Sequence, residues 1–249
     1  MTNEEFSNEF DVLYNSITSN QAPGLDDYEK SVFLTKAQSE ILREYFNDKV
    51  DGTNGGFDGS QKRQYDFSFL IKTENLEKLE ESSVINKIDE RGEIFKFPSD
   101  YFLSINEIII SKTADKPSVY YSVIPINYSE YQRLMNKPYA YPTKRKIWRM
   151  FIGTTTVEDE TIPVVEVIGR IIGPWNKATY SLRYVRKPKP IILSNIVDED
   201  LSIDGENIAT PCELPSQLHK EILERAITLA KISYIGSSTT TLASQNNKQ

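Results

Sequence analysis

The chain contains one thiol and one imidazole, Cys212 and His219, seven residues apart. A cysteine thiolate activated by a histidine is a common catalytic nucleophile. Here Glu213 follows Cys212 directly, and a neighbouring carboxylate raises the pKa of a thiol. His219 falls in the first turns of a predicted helix, where an exposed imidazole is the simpler interpretation. We therefore predict no catalytic role for this pair.

Carboxylates are abundant, with 36 acidic residues in 249. Glycoside hydrolysis needs only two carboxyl groups roughly 5–10 Å apart. The adjacent acids at 26–27, 158–160 and 198–200 fall in predicted turns or helix starts, where acids cap helices and keep loops solvated. A carbohydrate-binding or carbohydrate-cleaving protein is the alternative that these acids and a β-rich middle region leave open.

The usual signatures of enzymes and metal proteins are missing. There is no phosphate-binding glycine loop, no HExxH zinc helix and no GxSxG nucleophile elbow. A single cysteine excludes a disulfide within the chain and a four-thiolate metal site. We expect no catalytic residue, metal or cofactor. The acidic start and the lack of a long apolar run predict neither a signal peptide nor a membrane-spanning segment.

Charge is distributed unevenly around a formal net charge of -7. Residues 1–60 contain 4 basic and 12 acidic side chains, whereas residues 131–157 contain six basic side chains and no acid. A second acid-free stretch, residues 167–197, contains six more. Such a distribution suits head-to-tail contact between copies of one protein or a surface that faces nucleic acid on one side.

Aromatic residues are interleaved with the first basic stretch. Aromatic and basic side chains together can anchor a protein interface or stack on single-stranded nucleic acid, and they also occur on ordinary surfaces. Net acidity disfavours a dedicated nucleic-acid binder, so we favour contact between subunits. The residues predicted for this contact are Arg133, Tyr139, Tyr141, Lys144, Arg145, Lys146, Trp148 and Arg149.

Helical patterns occupy both ends of the chain. Phe6, Phe10, Leu13 and Ile17 recur at helical spacing after a Thr2/Glu5 capping box. A second helix is predicted from an Asp26/Glu29 capping box to about residue 48. A third, wide-faced helix runs from Ser216 to a stop at Gly236.

The region between these helices is rich in β-prone runs. From residue 84 the runs are short and separated by glycine and proline, which indicates an antiparallel sheet or sandwich with one helix at 127–136; residues 75–81 are weakly helical. The predicted class is α+β, with a helical module from the N-terminal helix pair and the C-terminal helix and an antiparallel β-rich insertion. The predicted domains are residues 1–82, 83–210 and 211–236, with a mobile tail at 237–249.

Several segments resemble the head-to-tail connector proteins of short-tailed phages, most closely the ring proteins of crAss-like phages. The opening helix pair of that family is similar to FDVLYNS at 10–16 and APGLDDYEKSVFLTKAQ at 22–38, and its closing helix to LPSQLHKEILERA at 214–226. Its β part is similar to PSDYF at 98–102 and YSLRYVRKP at 180–188.

The resemblance implies a structural and non-enzymatic role. About twelve copies would form a ring below the portal, extend the DNA channel without sequence-specific binding and carry the next tail or ring protein. The basic and aromatic contact residues would then serve contact between subunits or with a neighbouring ring. It also implies a virion protein of the neck or tail, assembled in the host bacterial cytoplasm and without membrane contact. In related connectors a terminal segment docks on the portal, which makes Ser237, Ser238, Thr239, Thr240, Thr241 and Leu242 the predicted docking residues.

Overall fold

The computed structural model describes residues 1–17, 24–46, 65, 67–79, 87–113, 116–137, 139–142, 145–157, 160–198 and 200–246. These residues form two compact units. The first, the helical unit, combines Met1–Ser68 with Pro188–Gln249, and the second, the β-rich unit, is Phe69–Lys187. The predicted domain boundaries at residues 82, 210 and 236 remain a prediction.

Three helices build the helical unit: α1 (Asn3–Ile17), α2 (Asp27–Phe46) and α4 (Ser216–Asn246). Both predicted capping boxes form. The Thr2 amide donates to the Glu5 carboxylate at 2.9 Å, and the Glu5 amide donates to the Thr2 hydroxyl at 3.2 Å. The Asp26 amide donates to the Glu29 carboxylate at 3.2 Å, and the Glu29 amide donates to the Asp26 carboxylate at 2.7 Å. Such caps satisfy amides that the first turn of a helix leaves unpaired, worth about 1 kcal/mol each.

Apolar stripes bring these helices together. As predicted, α4 packs on both α1 and α2. The buried side chains repeat at helical spacing on each helix and include Phe6, Phe10, Leu34, Ile41, Ile222 and Ala226.

A segment after the β-rich unit completes the helical unit. Residues 189–193 bond to polar side chains of α2, where Thr35 Oγ1 accepts from the Ile191 amide at 3.0 Å and Ser31 Oγ accepts from the Leu193 amide at 3.0 Å. Gln38 donates to the Lys189 carbonyl at 3.0 Å. These α2 side chains therefore supply hydrogen bonds that a neighbouring strand would otherwise provide to the backbone of residues 189–193.

The β-rich unit is one seven-stranded sheet with the order β1-β7-β3-β4-β5-β6-β2. Its strands are β1 (Ile71–Leu76), β2 (Glu93–Lys96), β3 (Tyr101–Thr113), β4 (Lys116–Pro125), β5 (Lys146–Val157), β6 (Glu160–Ile168) and β7 (Ala178–Arg186). Helix α3 (Tyr128–Met135) connects β4 to β5.

The sheet curls until its two outer strands are linked. Residues 77–79 continue from β1 and hydrogen-bond to β2, with the Leu79 amide donating to Ile94 and the Lys96 amide to Glu77, both at 2.9 Å. The concave inner face holds the core, which includes Phe95, Phe97, Ile109, Tyr121, Ile147, Val165, Tyr180 and Tyr184.

The predicted α+β class, with a β-rich insertion between terminal helices, is confirmed. One pair departs from the antiparallel prediction: β4 and β5 run parallel, because the chain crosses back through α3 between them. The helix predicted from residue 75 is wrong where the chain is described, since pairing with β7 makes β1 a strand. Helix α4 continues past Gly236 to Asn246, so the predicted stop is also wrong.

Candidate assembly surface

Trp148 is the anchor of the predicted contact region. Alternate residues of a strand face opposite sides, so Ile147 and Arg149 point to the inner face while Trp148 points outward. The indole is only 6% exposed because α3 and the following turn cover it. The Tyr131 ring meets it edge-on with centroids 6.5 Å apart, and the Tyr141 ring does so at 6.0 Å.

A buried carboxylate holds the turn at residues 87–92 beside this anchor. Glu166, on β6, has no exposed surface and accepts hydrogen bonds from the Ile88 amide at 2.8 Å and the Asp89 amide at 2.9 Å. Burial raises the pKa of Glu166 above its usual range, against the effect of these two amides.

Asp89 extends the network to α3. Its carboxylate accepts from Arg91 Nε at 3.0 Å and Nη2 at 3.1 Å, and from the Tyr131 hydroxyl at 3.3 Å. Burial pushes the pKa of Asp89 up, but the hydrogen bonds and charge of Arg91 outweigh burial and hold that pKa below its usual range. Burial and the Asp89 charge raise the pKa of Tyr131 to about 12, so the phenol keeps its proton.

Arg91 connects this hydrogen-bond network to Tyr141, in the segment that follows α3. Its guanidinium lies 4.0 Å from the centroid of the Tyr141 ring. Helix α3, the turn at 87–92 and the segment after α3 are therefore fixed to the outer face of β5 and β6 by Trp148, Glu166 and Asp89. The carboxylates of Glu166 and Asp89 are engaged in positioning these segments.

A set of exposed side chains lies around this anchor, and we call it the basic-aromatic patch. Lys146 shares the outer face of β5 with Trp148, because the two are two residues apart on a strand. The patch comprises the exposed residues Tyr128, Arg133, Met135, Lys137, Tyr139, Arg145 and Lys146.

Two residues of the basic-aromatic patch adopt the left-handed backbone conformation, which residues other than glycine rarely adopt. Tyr139 and Arg145 both have φ of 72°. Tyr139 is also fully exposed, at 101% of its reference area. Residues held in the left-handed region cost about 1–3 kcal/mol and concentrate at functional surfaces.

The eight predicted contact residues fall into separate environments. Four are exposed in the basic-aromatic patch, whereas Tyr141 and Trp148 pack together beneath it. Lys144 lies outside the described residues. Arg149 is 4% exposed and points to the inner face.

Arg149 belongs to a buried ion pair. Its Nη2 and Nε donate to the two Glu107 carboxylate oxygens at 2.7 and 3.1 Å, and the Tyr180 hydroxyl donates to the same carboxylate at 2.6 Å. The guanidinium also lies 4.6 Å from the Phe151 ring centroid. Burial alone would lower the pKa of Arg149, and the Glu107 charge raises it above its usual value.

Sequence reasoning missed Glu107, Glu166 and Asp89. A signal was present, since Glu107 and Glu166 each stand within an apolar strand run, Ile105–Ile110 and Val164–Ile168. A lone charge in such a run predicts a buried and paired carboxylate.

The thiol and imidazole do not form a catalytic arrangement. His219 is buried, contrary to the predicted exposure; its Nε2 lies 2.8 Å from the Leu214 carbonyl, and burial lowers its pKa. Burial raises the pKa of Cys212 to about 11, so the thiol stays protonated at neutral pH. Within the described ranges no cluster of three metal-binding side chains occurs. In that same part of the chain, no helix is long and apolar enough to cross a membrane.

Replacing Gly92 by alanine should destabilise the β-rich unit by about 2–3 kcal/mol. A Cβ at this position would lie 2.1 Å from Glu166 Oε1, so the buried carboxylate must move and lose amide hydrogen bonds. Urea unfolding measures the change. Gly24→Ala is the matched control, because a Cβ there meets nothing within 4 Å. Equal stability of the two variants would mean that the Glu166 network is adaptable.

Comparisons with known proteins cover almost the whole chain. A family model described as phage tail ring protein 3/4 matches residues 1–242. The chain is 43% identical over 239 residues to Ring protein 4/5 of Bacteroides phage crAss001, covering 95% of this chain and 94% of that protein. It is 30% identical over 238 residues to Ring protein 3 of the same phage, covering 94% and 96%.

Proposed function

Because the chain belongs to the phage tail ring protein 3/4 family, we propose that it assembles into a ring of identical subunits, about twelve in number. The ring lies below the portal, extends the DNA channel and joins the capsid vertex to the next tail or ring protein. The family supports the coarser role directly: this is a structural ring protein of a phage tail.

Separation of charge between the two units is the observation that carries the ring proposal. The helical unit contains 11 basic and 21 acidic residues, a net charge of -10, whereas the β-rich unit contains 18 basic and 15 acidic residues, a net charge of +3. A ring needs two different surfaces that complement each other, because each subunit contacts its neighbours head to tail. Opposite net charges on two units of one chain favour such contact.

The basic-aromatic patch is the proposed contact surface on the β-rich unit. Arg133, Tyr139, Arg145 and Lys146 reach the neighbouring subunit or ring, supported from below by Tyr141 and Trp148. Aromatic and arginine side chains are the residues that contribute most to interfaces. A lumen that grips DNA would slow ejection, so these cations serve protein contact and DNA passes without sequence-specific binding.

The end of α4 is the proposed portal-docking segment. Residues 237–242 continue the helix in this structure, so they offer a helical backbone to the portal. We place the protein in the neck or tail of the virion and its assembly in the host bacterial cytoplasm. No enzymatic step is part of this role.

Light scattering with negative-stain imaging tests the ring. The protein alone, or mixed with its portal, should give a closed species of about a dozen copies. A chain lacking residues 237–249 should form the same contacts between copies but bind the portal more weakly. A protein that stays monomeric with and without the portal would contradict the ring. Unchanged portal binding by the shortened chain would contradict only the proposal that the C-terminal segment docks on the portal.

A further inference from the structure

Residues 194–198 and 200–208 of the helical unit form a largely exposed surface that we call the acidic loop. Three apolar side chains stand out from it: Val197 at 91% exposure, Ile208 at 65% and Leu201 at 38%. Exposed acids accompany them, namely Asp198, Asp200 and Asp204. An apolar centre surrounded by charge is the arrangement of a protein interface.

Backbone hydrogen bonds preorganise the acidic loop. The Ile196 amide donates to the Asn207 carbonyl at 2.9 Å, and Ile203 and Glu206 exchange amide bonds at 2.9 and 3.0 Å. The buried side chain of Ile203 fixes the loop from inside. A preformed surface loses little conformational entropy when a partner binds.

The start of α2 adds a recess to this surface. Asp26, Asp27 and Tyr28 line a cavity of about 310 Å³ together with the part of the acidic loop that contains Val197 and Leu201. The cavity opens beside the exposed apolar side chains. The acidic loop therefore offers an apolar contact, a negative rim and a recess in which a side chain can lodge.

The basic-aromatic patch has the same design with the opposite charge. Its exposed apolar side chains are Tyr128, Met135 and Tyr139, and its rim contains the cations Arg133, whose Nη2 lies 3.6 Å from Glu130 Oε1, and Lys137. Apolar side chains beside cations match apolar side chains beside carboxylates, and such matching selects the partner and its orientation.

We propose that the basic-aromatic patch of one copy docks on the acidic loop of the next copy, with Tyr139 against Val197. This inference rests on the proposed ring and deepens it, because it assigns the two faces of the subunit contact. The occupant of each surface is a second copy of this chain, since the complementary surface is present on that chain. The contact is heterologous: after a first contact one copy keeps a free acidic loop and the other keeps a free basic-aromatic patch, so the contact propagates from copy to copy.

Disulfide trapping tests the facing pair. Tyr139→Cys and Val197→Cys are combined in a Cys212→Ser background, which removes the native thiol. Oxidation of assembled protein should produce a ladder of covalent multimers that ends at the ring size. Each single-cysteine chain alone should give no ladder, and an equal mixture of the two should stop at covalent dimers.

Charge reversal tests the two rims independently of any new cysteine. Arg133→Glu with Lys137→Glu, and separately Asp198→Lys with Asp200→Lys, should each raise the protein concentration needed for half-assembly by about tenfold or more. All four changes in one chain should restore assembly. Arg183→Glu with Lys187→Glu reverses two exposed cations of the β-rich unit outside the patch and should leave assembly unchanged.

The outcomes separate this inference from the ring itself. If closed rings form but oxidation gives no ladder of covalent multimers, the assignment of the two faces is wrong and the ring itself stands. The same conclusion follows if the two introduced cysteines form a disulfide only within one chain. Failure of the fourfold reversal to restore assembly, with a normal thermal transition, would also overturn them. Absence of any ring with and without the portal would remove both proposals.

Discussion

Replacing Glu107 by alanine is expected to lower the free energy of unfolding of the β-rich unit by about 3–5 kcal/mol. The substitution leaves Arg149 buried and positively charged without the carboxylate that neutralises it. It also removes the acceptor of the Tyr180 hydroxyl, whose proton is retained because burial and the Glu107 charge raise the pKa of that phenol. Removing one partner of a buried pair costs more than the pair itself contributes, because desolvation of the other charge is no longer offset.

Urea unfolding followed by tryptophan fluorescence measures this effect selectively. The chain has two tryptophans, Trp148 and Trp175, and both belong to the β-rich unit. Glu77→Ala is the matched control, because that glutamate is 76% exposed in its ion pair with Lys96 and its loss should cost under about 1 kcal/mol.

A double substitution shows whether charge or volume is responsible. Glu107→Leu with Arg149→Met removes both charges and keeps an apolar filling, so stability should return to within about 1–3 kcal/mol of the original protein. The remaining loss comes from the buried Tyr180 hydroxyl, which still lacks its acceptor. A loss below about 1 kcal/mol for Glu107→Ala would show that water reaches Arg149, contrary to the buried position of its guanidinium.

Elements defined by neighbouring residues are the ones that the sequence predicts well. The two capping boxes depend on residues three apart, and both form with the predicted partners. The apolar stripes that include Phe6, Leu34 and Ile222 likewise report which faces of the helices are buried. Local chemistry decides these features, so one sequence is enough to find them.

Features that depend on distant parts of the chain are the ones that were missed. Glu107 and Tyr180 meet because β3 pairs with β7, and Arg149 reaches the same carboxylate from β5. Nothing in their local sequence says that these three strands share an inner face. The strand assignment of β1 depends on pairing with β7, more than 100 residues away. Gly236 lies inside α4 despite its cost, because a glycine ends a helix only where the following backbone turns away.

The candidate surface combines both kinds of feature. Composition located the basic and aromatic stretch, since charge and residue type can be counted along the chain. Alternation along β5 then divides that stretch between two faces of the sheet, so Arg149 stabilises the interior while Lys146 remains exposed. Which residues support the surface and which contact a partner is therefore a question of burial, and it can be tested on two aromatic residues.

Trp148→Ala should destabilise the β-rich unit by about 3–5 kcal/mol, whereas Tyr139→Ala should change its stability by less than about 0.5 kcal/mol. The first substitution leaves a cavity where Tyr131 and Tyr141 now pack on the indole. The second removes a side chain that is fully exposed in the isolated subunit. Urea unfolding followed by circular dichroism compares the two, because one variant lacks a fluorophore.

Assembly should show the opposite order at temperatures where both variants are folded. Tyr139→Ala removes the proposed anchor of the subunit contact, so the concentration for half-assembly should rise by about tenfold or more with no loss of fold. Trp148→Ala acts on assembly through the position of α3 and should respond to added osmolyte, which favours the packed state. A stable Tyr139→Ala chain that assembles like the original would contradict a contact role for Tyr139, the most exposed residue of the basic-aromatic patch. The backbone at this position has a φ of 72°, which costs free energy, and a side chain exposed to water does not offset that cost within its own subunit.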